Sequence, residues 1–311
     1  MKIVSLFSGA GGLDLGMIQS GNNIIWANDI DSDAVDTYRL NIGNHIIQED
    51  IGNIDKESIP ECDVIIGGFP CQGFSMANLH RDVNDRRNNL YLFFRDIVEC
   101  KKPLYFIAEN VKGILSLGGG DVIKAIIQDF ESIGYHVELH SVNMADYGIP
   151  QTRQRVIIIG ERLDIYEHVQ FIFPKPTHGK GNGLLPWVSI RESIDHFPDP
   201  DLPNNVPNHV YSKYKVVYRN FTAHRRTDPD KPSPTILARG NGKGGVCAIP
   251  HYNGVRRLSV RESAAVQTFP DDYYFCGSNT SEYRQIGNAV PPMFSRLLGE
   301  ELIRLEKIIR Q

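Results

Sequence analysis

The feature that most constrains this 311-residue chain is a rhythm of short apolar runs alternating with amphipathic stretches. Lys2–Phe7 breaks into Ser8-Gly9-Ala10-Gly11-Gly12 and then a helical stretch to about Ser20. Ile24–Ala27 ends in Asn28-Asp29 ahead of a helix over Asp33–Asn41, and His45–Gln48 marks a third strand region. Asp63–Ile66 runs into Gly67-Gly68-Phe69-Pro70-Cys71, and Leu90–Lys101 is an amphipathic helix. Leu104–Ala108 is a strand ending at Glu109-Asn110, Asp121–Ile133 is helical, and Val137–Asn143 and Val156–Gly160 are strands. Pro292–Arg310 closes the chain as an amphipathic helix. Strands spaced by helices of about 10–15 residues predict parallel βαβ units, hence an open α/β sheet. Ligands of such sheets bind beyond the carboxyl ends of the strands. Several of the unusual residues fall there: the glycine turn, Asp29, Asp50, Cys71 and Glu109.

Composition narrows the class further. The length suits two domains or one large one. No run approaches the ~18 apolar residues of a membrane span. The start lacks the long apolar segment of a signal peptide, so a cytoplasmic protein is expected. Five cysteines without a Cys-x-x-Cys pair argue against a disulfide framework or a zinc ribbon, and no metal is expected. The net charge of −4 speaks against a nucleic-acid partner until it is located along the chain. Residues 1–170 hold 14 basic and 24 acidic side chains, a net of −10. Residues 171–260 hold 13 and 6, a net of +7, with nine aromatic residues and five of the ten histidines. The remainder holds 6 and 7. An acidic body with a basic, loop-rich insert fits a separate domain that meets a polyanion, although such an insert can also pair with the body.

Each candidate site residue has a structural alternative. The glycine turn lets backbone approach a ligand, and the helix after it offers free N–H groups. It lacks both the G-x-G-x-x-G spacing and a P-loop Gly-Lys-Ser/Thr, which favours a nucleoside over a polyphosphate. Asp29, about 20 residues on, stands where a carboxylate accepts from ribose hydroxyls. Asp50 is placed to take an adenine amine, with Ile30 and Ile51 against the ring, whereas Asp31 and Asp33 read as helix-capping charges. Cys71 lies in a Pro- and Gly-flanked loop, unlike an inert buried thiol, and needs an electrophile activated by an acid. Glu109 is that acid, or else a structural carboxylate satisfied by local N–H groups. Gln151, Arg153 and Arg155 alternate on one face leading into a strand. The two arginines there can hold a carboxylate or phosphate bidentately, or lie on the surface.

Taken in order, Phe-x-Gly-x-Gly-Gly, Pro-Cys-Gln, Glu-Asn-Val and Gln-x-Arg-x-Arg resemble the motif series of the cytosine-C5 DNA methyltransferases of bacterial restriction–modification systems. Arg257-Leu258-Ser259-Val260-Arg261-Glu262, Gln267-Thr268-Phe269-Pro270 and Gly287-Asn288-Ala289-Val290-Pro291-Pro292 resemble the family's C-terminal motifs. The resemblance implies an S-adenosylmethionine-dependent methyltransferase with a Rossmann-like mixed sheet, helices on both faces, and a smaller target-recognition domain. It places the catalytic domain at 1–180 and 272–311 and the recognition domain at 181–271. Carried onto this chain, Phe7, Gly9, Gly11, Gly12 and Leu13 cradle the methionine part and Asp29 binds the ribose. Asp50, Ile30 and Ile51 receive the adenine, and Pro70, Leu90, Asn288 and Val290 border the pocket. Cys71 is the nucleophile, and Glu109, Arg153 and Arg155 surround the target base.

The chemistry is consistent with that assignment. Cytosine C5 is a poor nucleophile until Cys71 sulfur adds to C6 and makes C5 enamine-like. A proton or strong hydrogen bond from Glu109 at N3 removes the accumulating negative charge. C5 then takes the sulfonium methyl, leaving S-adenosylhomocysteine, and loss of the C5 proton releases the thiol. The base must leave the stack for this to happen.

The polar segment Gln72–Asn89, with Gln72, Ser75, Arg81, Arg86 and Arg87, reads as a loop closing over the DNA backbone. In the insert, Thr235 leads a recognition loop on which Arg239 reads a guanine edge or holds a phosphate. His224, Arg225 and Arg226 stand on a second loop. Two departures from the family pattern stand out. Ser5 replaces an acidic residue, with an effect expected only on strand packing, and Asn88 replaces a glycine. A tRNA cytosine methyltransferase can share this core, and a catalytically silent DNA-binding relative is a further alternative. The basic insert favours double-stranded DNA, and the intact Cys71, Glu109 and Arg153 favour an enzyme. A monomer is expected, with room for a cognate restriction endonuclease acting separately.

Overall fold

The computed structural model describes residues 1–69, 90–213, 227–238 and 249–311. A seven-stranded sheet is built from β1 (Lys2–Leu6), β2 (Asn23–Asp29), β3 (Ile46–Gln48), β4 (Val64–Gly67), β5 (Tyr105–Val111), β6 (Tyr135–Asn143) and β8 (Gln154–Arg162). Its order is β3-β2-β1-β4-β5-β8-β6. The first five strands in that order pair in parallel, as the alternation predicts. β8 runs antiparallel to both neighbours, so the sheet is mixed. The reason lies in the connection: only a short turn around Met144–Tyr147 and the two-residue β7 (Gln151–Thr152) separate β6 from β8. That is too little chain for the crossover a parallel neighbour needs.

Both faces of the sheet are covered, and the alternation of side chains shows it. In β5, Tyr105 and Ile107 enter one apolar core while Phe106 and Ala108 enter the other. In β8, Ile157 and Ile159 join the first core, and Val156 and Ile158 the second. The first core is closed by α1 (Gly12–Gln19), α2 (Ser32–Asn41) and α9 (Pro292–Ile309), which contribute Met17, Val35 and Leu298. The second is closed by α3 (Leu90–Lys101) and α4 (Asp121–Ser132), which contribute Phe94 and Phe130. Among the described residues no helix is long and apolar enough to cross a membrane.

After the short α5 (Leu163–Tyr166), a third core gathers Ile190 and Ile194 of α6 (Ile190–Ile194), Ile236, Leu258, and Ala264 of α7 (Val260–Val266). Phe269, Phe275 and Ile286 of α8 (Asn279–Asn288) complete it. Its scaffold is polar and explains the Arg-Leu-Ser-Val-Arg-Glu motif. Ser259 caps α7 and Glu262 returns the bond, a capping box that satisfies otherwise orphan amides. Glu262 also forms a two-pronged ion pair with Arg256. Arg261, fully buried, donates to the carbonyls of Pro207, Pro270 and Tyr273. A guanidinium has five donors, so one side chain can pin three loops.

This core is joined to the sheet by main-chain contacts. β7 pairs in parallel with β9 (Ser233–Pro234). Gln151 accepts from the Ile236 amide at 2.8 Å, while Arg153 Nη1 donates to the Ile236 carbonyl at 3.0 Å. One peptide segment is thus gripped from both sides.

Candidate active site

The carboxyl ends of β1, β2, β4 and β5 open onto a cleft of about 430 Å³. Of the residues singled out from sequence, Phe7, Gly9, Gly12, Leu13, Asp29, Glu109, Arg153, Arg155, Asn288 and Val290 line it together. They come from the two ends of the chain and its middle, and the sheet order explains why. β1 sits centrally, beside β2 on one side and β4 on the other, with β5 next along.

The turn after β1 is tightly held. Phe7 has φ of 56°, an uncommon conformation for a bulky residue and one that clusters at ligand sites. The Ser8 amide donates to the Asn28 carbonyl at 2.9 Å, and the Gly9 amide to Asp29 Oδ2 at 2.7 Å. Asp29 Oδ1 accepts from the Asp31 amide. Burial pushes the Asp29 carboxyl above its ordinary value, with those amides acting against the rise. Gly12 is needed for close approach: a Cβ there would lie 2.5 Å from the Val290 carbonyl oxygen. The glycine turn and the Asn-Ala-Val-Pro segment therefore form one wall. Gly11 caps α1 and faces Tyr38 and Ile42 rather than the cleft.

Another part of the lining carries charge. Glu109 lies within β5, which runs on to Val111 because its pairing with β8 continues to Arg155, so the strand is longer than the sequence reading had it. Arg155 Nε stands 2.6 Å from Glu109 Oε1, a close ion pair that leaves the ideal line of a hydrogen bond. Both side chains are about nine-tenths buried. Arg153 is almost completely buried, and its two terminal nitrogens donate to the carbonyls of Ile236 and Gly287 at 3.0 Å each. Burial pushes its guanidinium down to about 9, so it remains charged at neutral pH. Asn110 donates to the Phe69 carbonyl at 2.9 Å, and the Phe69 ring packs among Tyr91 and Phe94. The chain entering Pro70-Cys71 is thereby anchored at its last described residue.

Other expected residues stand off the cleft wall. Ile30 is 65% exposed beside Asp29, open to a ligand edge. Asp50 accepts from the Gly52 amide at 3.0 Å, while Ile51 and Leu90 pack in or against the second core. Thr235 donates its hydroxyl to the Thr152 carbonyl, and Asp31 caps α2 as expected. Pro70, Cys71, Gln72, Ser75, Arg81, Arg86, Arg87, Asn88, His224, Arg225, Arg226 and Arg239 lie outside the described residues.

Sequence reasoning missed four participants. Ser5 does more than pack: it is buried, donates to Asp14 and accepts from Ser8. Asp14 lines the cleft but reads in sequence as an ordinary first-turn acid. Gln267 bonds Gln151 and donates to the carbonyls of Ile286 and Ala289, a role visible only once distant segments meet. Arg284 was missed as well; it pairs with Asp31 at 2.6 Å, and both line the cleft.

A nucleoside-sized cleft at the carboxyl ends of an α/β sheet, lined by a glycine turn and a carboxylate–guanidinium pair, is the ligand site of a protein of the Rossmann-like class. The sequence model of the C-5 cytosine-specific DNA methylases matches residues 1–304. The chain is 41% identical to the Type II methyltransferase M.NgoFVII of Neisseria gonorrhoeae, over 94% of this chain and 83% of that one. It is 36% identical to the Type II methyltransferase M.MthTI of Methanothermobacter thermautotrophicus, over 97% of each chain. In fold it is similar to the S. pombe Dnmt2 methyltransferase, with a TM-score of 0.71, 18% identity and full coverage of both chains. The chain belongs to the C-5 cytosine-specific DNA methylase family and is a DNA cytosine-5-methyltransferase, for which that family implies S-adenosylmethionine as methyl donor.

Proposed function

We propose that this enzyme methylates C5 of a flipped-out cytosine within a specific double-stranded DNA sequence, through a covalent bond between Cys71 sulfur and C6. The family match over residues 1–304, with Glu109 and the glycine turn in one cleft, is the observation that carries this reading. Its similarity to Type II methyltransferases supports a role in restriction–modification, with a cognate endonuclease acting separately.

The cleft suits the cofactor. The Gly12 position has no room for a side chain, and Asp29 presents a carboxylate where ribose hydroxyls would donate. Phe7, Gly9, Gly12, Leu13, Asp29, Asn288 and Val290 would hold S-adenosylmethionine, with Ile30 against the adenine. When bound, the cofactor supplies an electrophilic methyl group to C5. Cys71 contributes the nucleophile that breaks the aromaticity of the ring. Glu109 holds a proton or hydrogen bond at N3, and Arg155 orients that carboxylate from the neighbouring strand. Arg153 braces the base pocket through the Ile236 and Gly287 carbonyls. Asn110 fixes the approach to Cys71 through Phe69.

The segment 181–271 serves as the recognition domain on the catalytic body of 1–180 and 272–311, its charge complementary to DNA. Arg239 and the His224–Arg226 loop read bases or hold phosphates, and Gln72, Ser75, Arg81, Arg86 and Arg87 close over the backbone. The enzyme acts as a monomer on DNA in the cytoplasm.

The test is a covalent trap: duplex DNA pools containing 5-fluorocytosine, incubated with the enzyme and S-adenosylmethionine. Fluorine cannot leave as the C5 proton does, so wild type should give an adduct that survives denaturing gels. Absence of adduct from every pool, or an undiminished one with Cys71→Ala, overturns the mechanism.

A further inference from the structure

The site described above leaves one buried acid unused. Asp14, in the first turn of α1, is 0% exposed yet lines the cleft. Its Oδ2 accepts from Ser5 Oγ at 2.9 Å, and Ser5 in turn accepts from Ser8 Oγ at 2.9 Å. Its Oδ1 accepts from the Tyr38 hydroxyl at 2.9 Å. Tyr38 also lies 3.0 Å from His45 Nε2. With Tyr38 donating to Asp14, the His45 tautomer protonated at Nε2 completes the chain. Asp14 thus has a hydroxyl partner at each carboxylate oxygen, an arrangement that supports its ionised form.

The groups facing Asp14 do not balance its charge. Ser5 comes from β1 and Tyr38 from α2, both neutral. Burial pushes the His45 imidazole below its ordinary value, which keeps it neutral. Tyr273 gives its hydroxyl to the Ala10 carbonyl, and Asp29 at the end of β2 is a second carboxylate that repels the first. Among the described residues Asp14 forms no ion pair. A buried carboxylate without a cation is costly. S-adenosylmethionine carries one net positive charge, and its demethylated product S-adenosylhomocysteine carries none.

We propose that Asp14 is a specificity-determining residue that favours the cationic methyl donor over its neutral product by lending a negative charge to the cleft wall beneath the Phe7–Gly12 turn. The proposal rests on the reading of this cleft as the S-adenosylmethionine site. Product release follows naturally, because methyl transfer removes the charge that Asp14 favours. Burial raises the Asp14 carboxyl to about 6, and a bound cation pulls it back down. Donor binding below neutral pH therefore releases a proton, and donor affinity climbs as pH rises through about 6. Asp29 lends its own charge to the same preference, and Asp14→Asn, which leaves Asp29 in place, isolates the Asp14 share.

The experiment is titration calorimetry of the whole chain with S-adenosylmethionine and S-adenosylhomocysteine, from pH 5.5 to 8, in two buffers of different ionisation enthalpy. Wild type, Asp14→Asn and Tyr38→Phe are compared. The donor-to-product affinity ratio of wild type should rise with pH. Asp14→Asn should flatten that profile, reduce the donor-linked proton release, and cut the ratio at pH 7.5 by about tenfold, the scale of one charge–charge interaction at an effective dielectric of about 20. Tyr38→Phe keeps the charge and loses one donor, so it should keep the high-pH ratio and move the titration upward. Equal losses of both ligands in Asp14→Asn, or identical pH profiles for both ligands in wild type, overturn the assignment of Asp14 alone. Wild type binding neither ligand at any pH overturns the cofactor site and this proposal together.

Discussion

Replacing Asp14 by Asn should make the unliganded protein more stable at neutral pH. Burial raises this carboxyl from 3.8 to about 6. At about 1.4 kcal/mol per pH unit, keeping it ionised in the folded state costs about 3 kcal/mol at neutral pH. The sign follows from proton counting. Between about pH 4 and 6 the folded chain holds a proton that the unfolded chain has released, so wild-type stability falls as pH rises through that window and levels above it. Asparagine does not titrate and escapes this loss. It presents one acceptor oxygen where the carboxylate presents two, so either Ser5 or Tyr38 loses its partner, at a cost of about 1 kcal/mol. The balance favours Asp14→Asn by about 2 kcal/mol at pH 7.5 and disfavours it near pH 4. Urea unfolding of both proteins, without ligand, across pH 4.5 to 8 measures the difference directly. A difference that does not change with pH, or one that moves in favour of wild type as pH rises, would refute the reasoning.

Three further outcomes are expected. Gly12→Ala sets a methyl against the Val290 carbonyl, and should cost about 1–3 kcal/mol in urea unfolding and weaken S-adenosylmethionine binding in calorimetry. Arg153→Lys retains the charge but cannot span the Ile236 and Gly287 carbonyls, so unfolding should lose about 1.5–3 kcal/mol; an unchanged midpoint would show that the clamp contributes nothing. Asn110→Ala frees the Phe69 carbonyl and should slow 5-fluorocytosine adduct formation by about 10²-fold with little change in cofactor affinity.

Much of this architecture was legible in the sequence because its punctuation is local. Apolar runs ending in Gly, Asp or Pro marked the strand ends, and those ends form the cleft. The helix ending at Lys101 was legible because its amphipathic period is strong. The reversal of β8 was less so, because parallel alternation set the expectation, although the absence of any helical stretch between β6 and β8 was a usable signal. Asp14 was illegible for a different reason. An acid in a helix's first turn is normally a solvated, dipole-favoured residue, and only the packing of α1 against β1 and α2 removes it from water. Gln151 and Gln267 are 116 positions apart, and nothing in either neighbourhood announces the other.

The grip on Ile236 has a consequence for how such a chain can change. Gln151 and Arg153 take hold of its amide and carbonyl, and Gln267 and Arg153 hold the carbonyls of Ile286, Ala289 and Gly287. These main-chain atoms are common to every amino acid except proline, which lacks the N–H. Apart from Gly287, where a Cβ would strike the 237–238 backbone, and the buried Ile236, the joint asks little of the side chains it fastens, so the basic segment beyond it is free to diverge in sequence without loosening from the body that carries the chemistry.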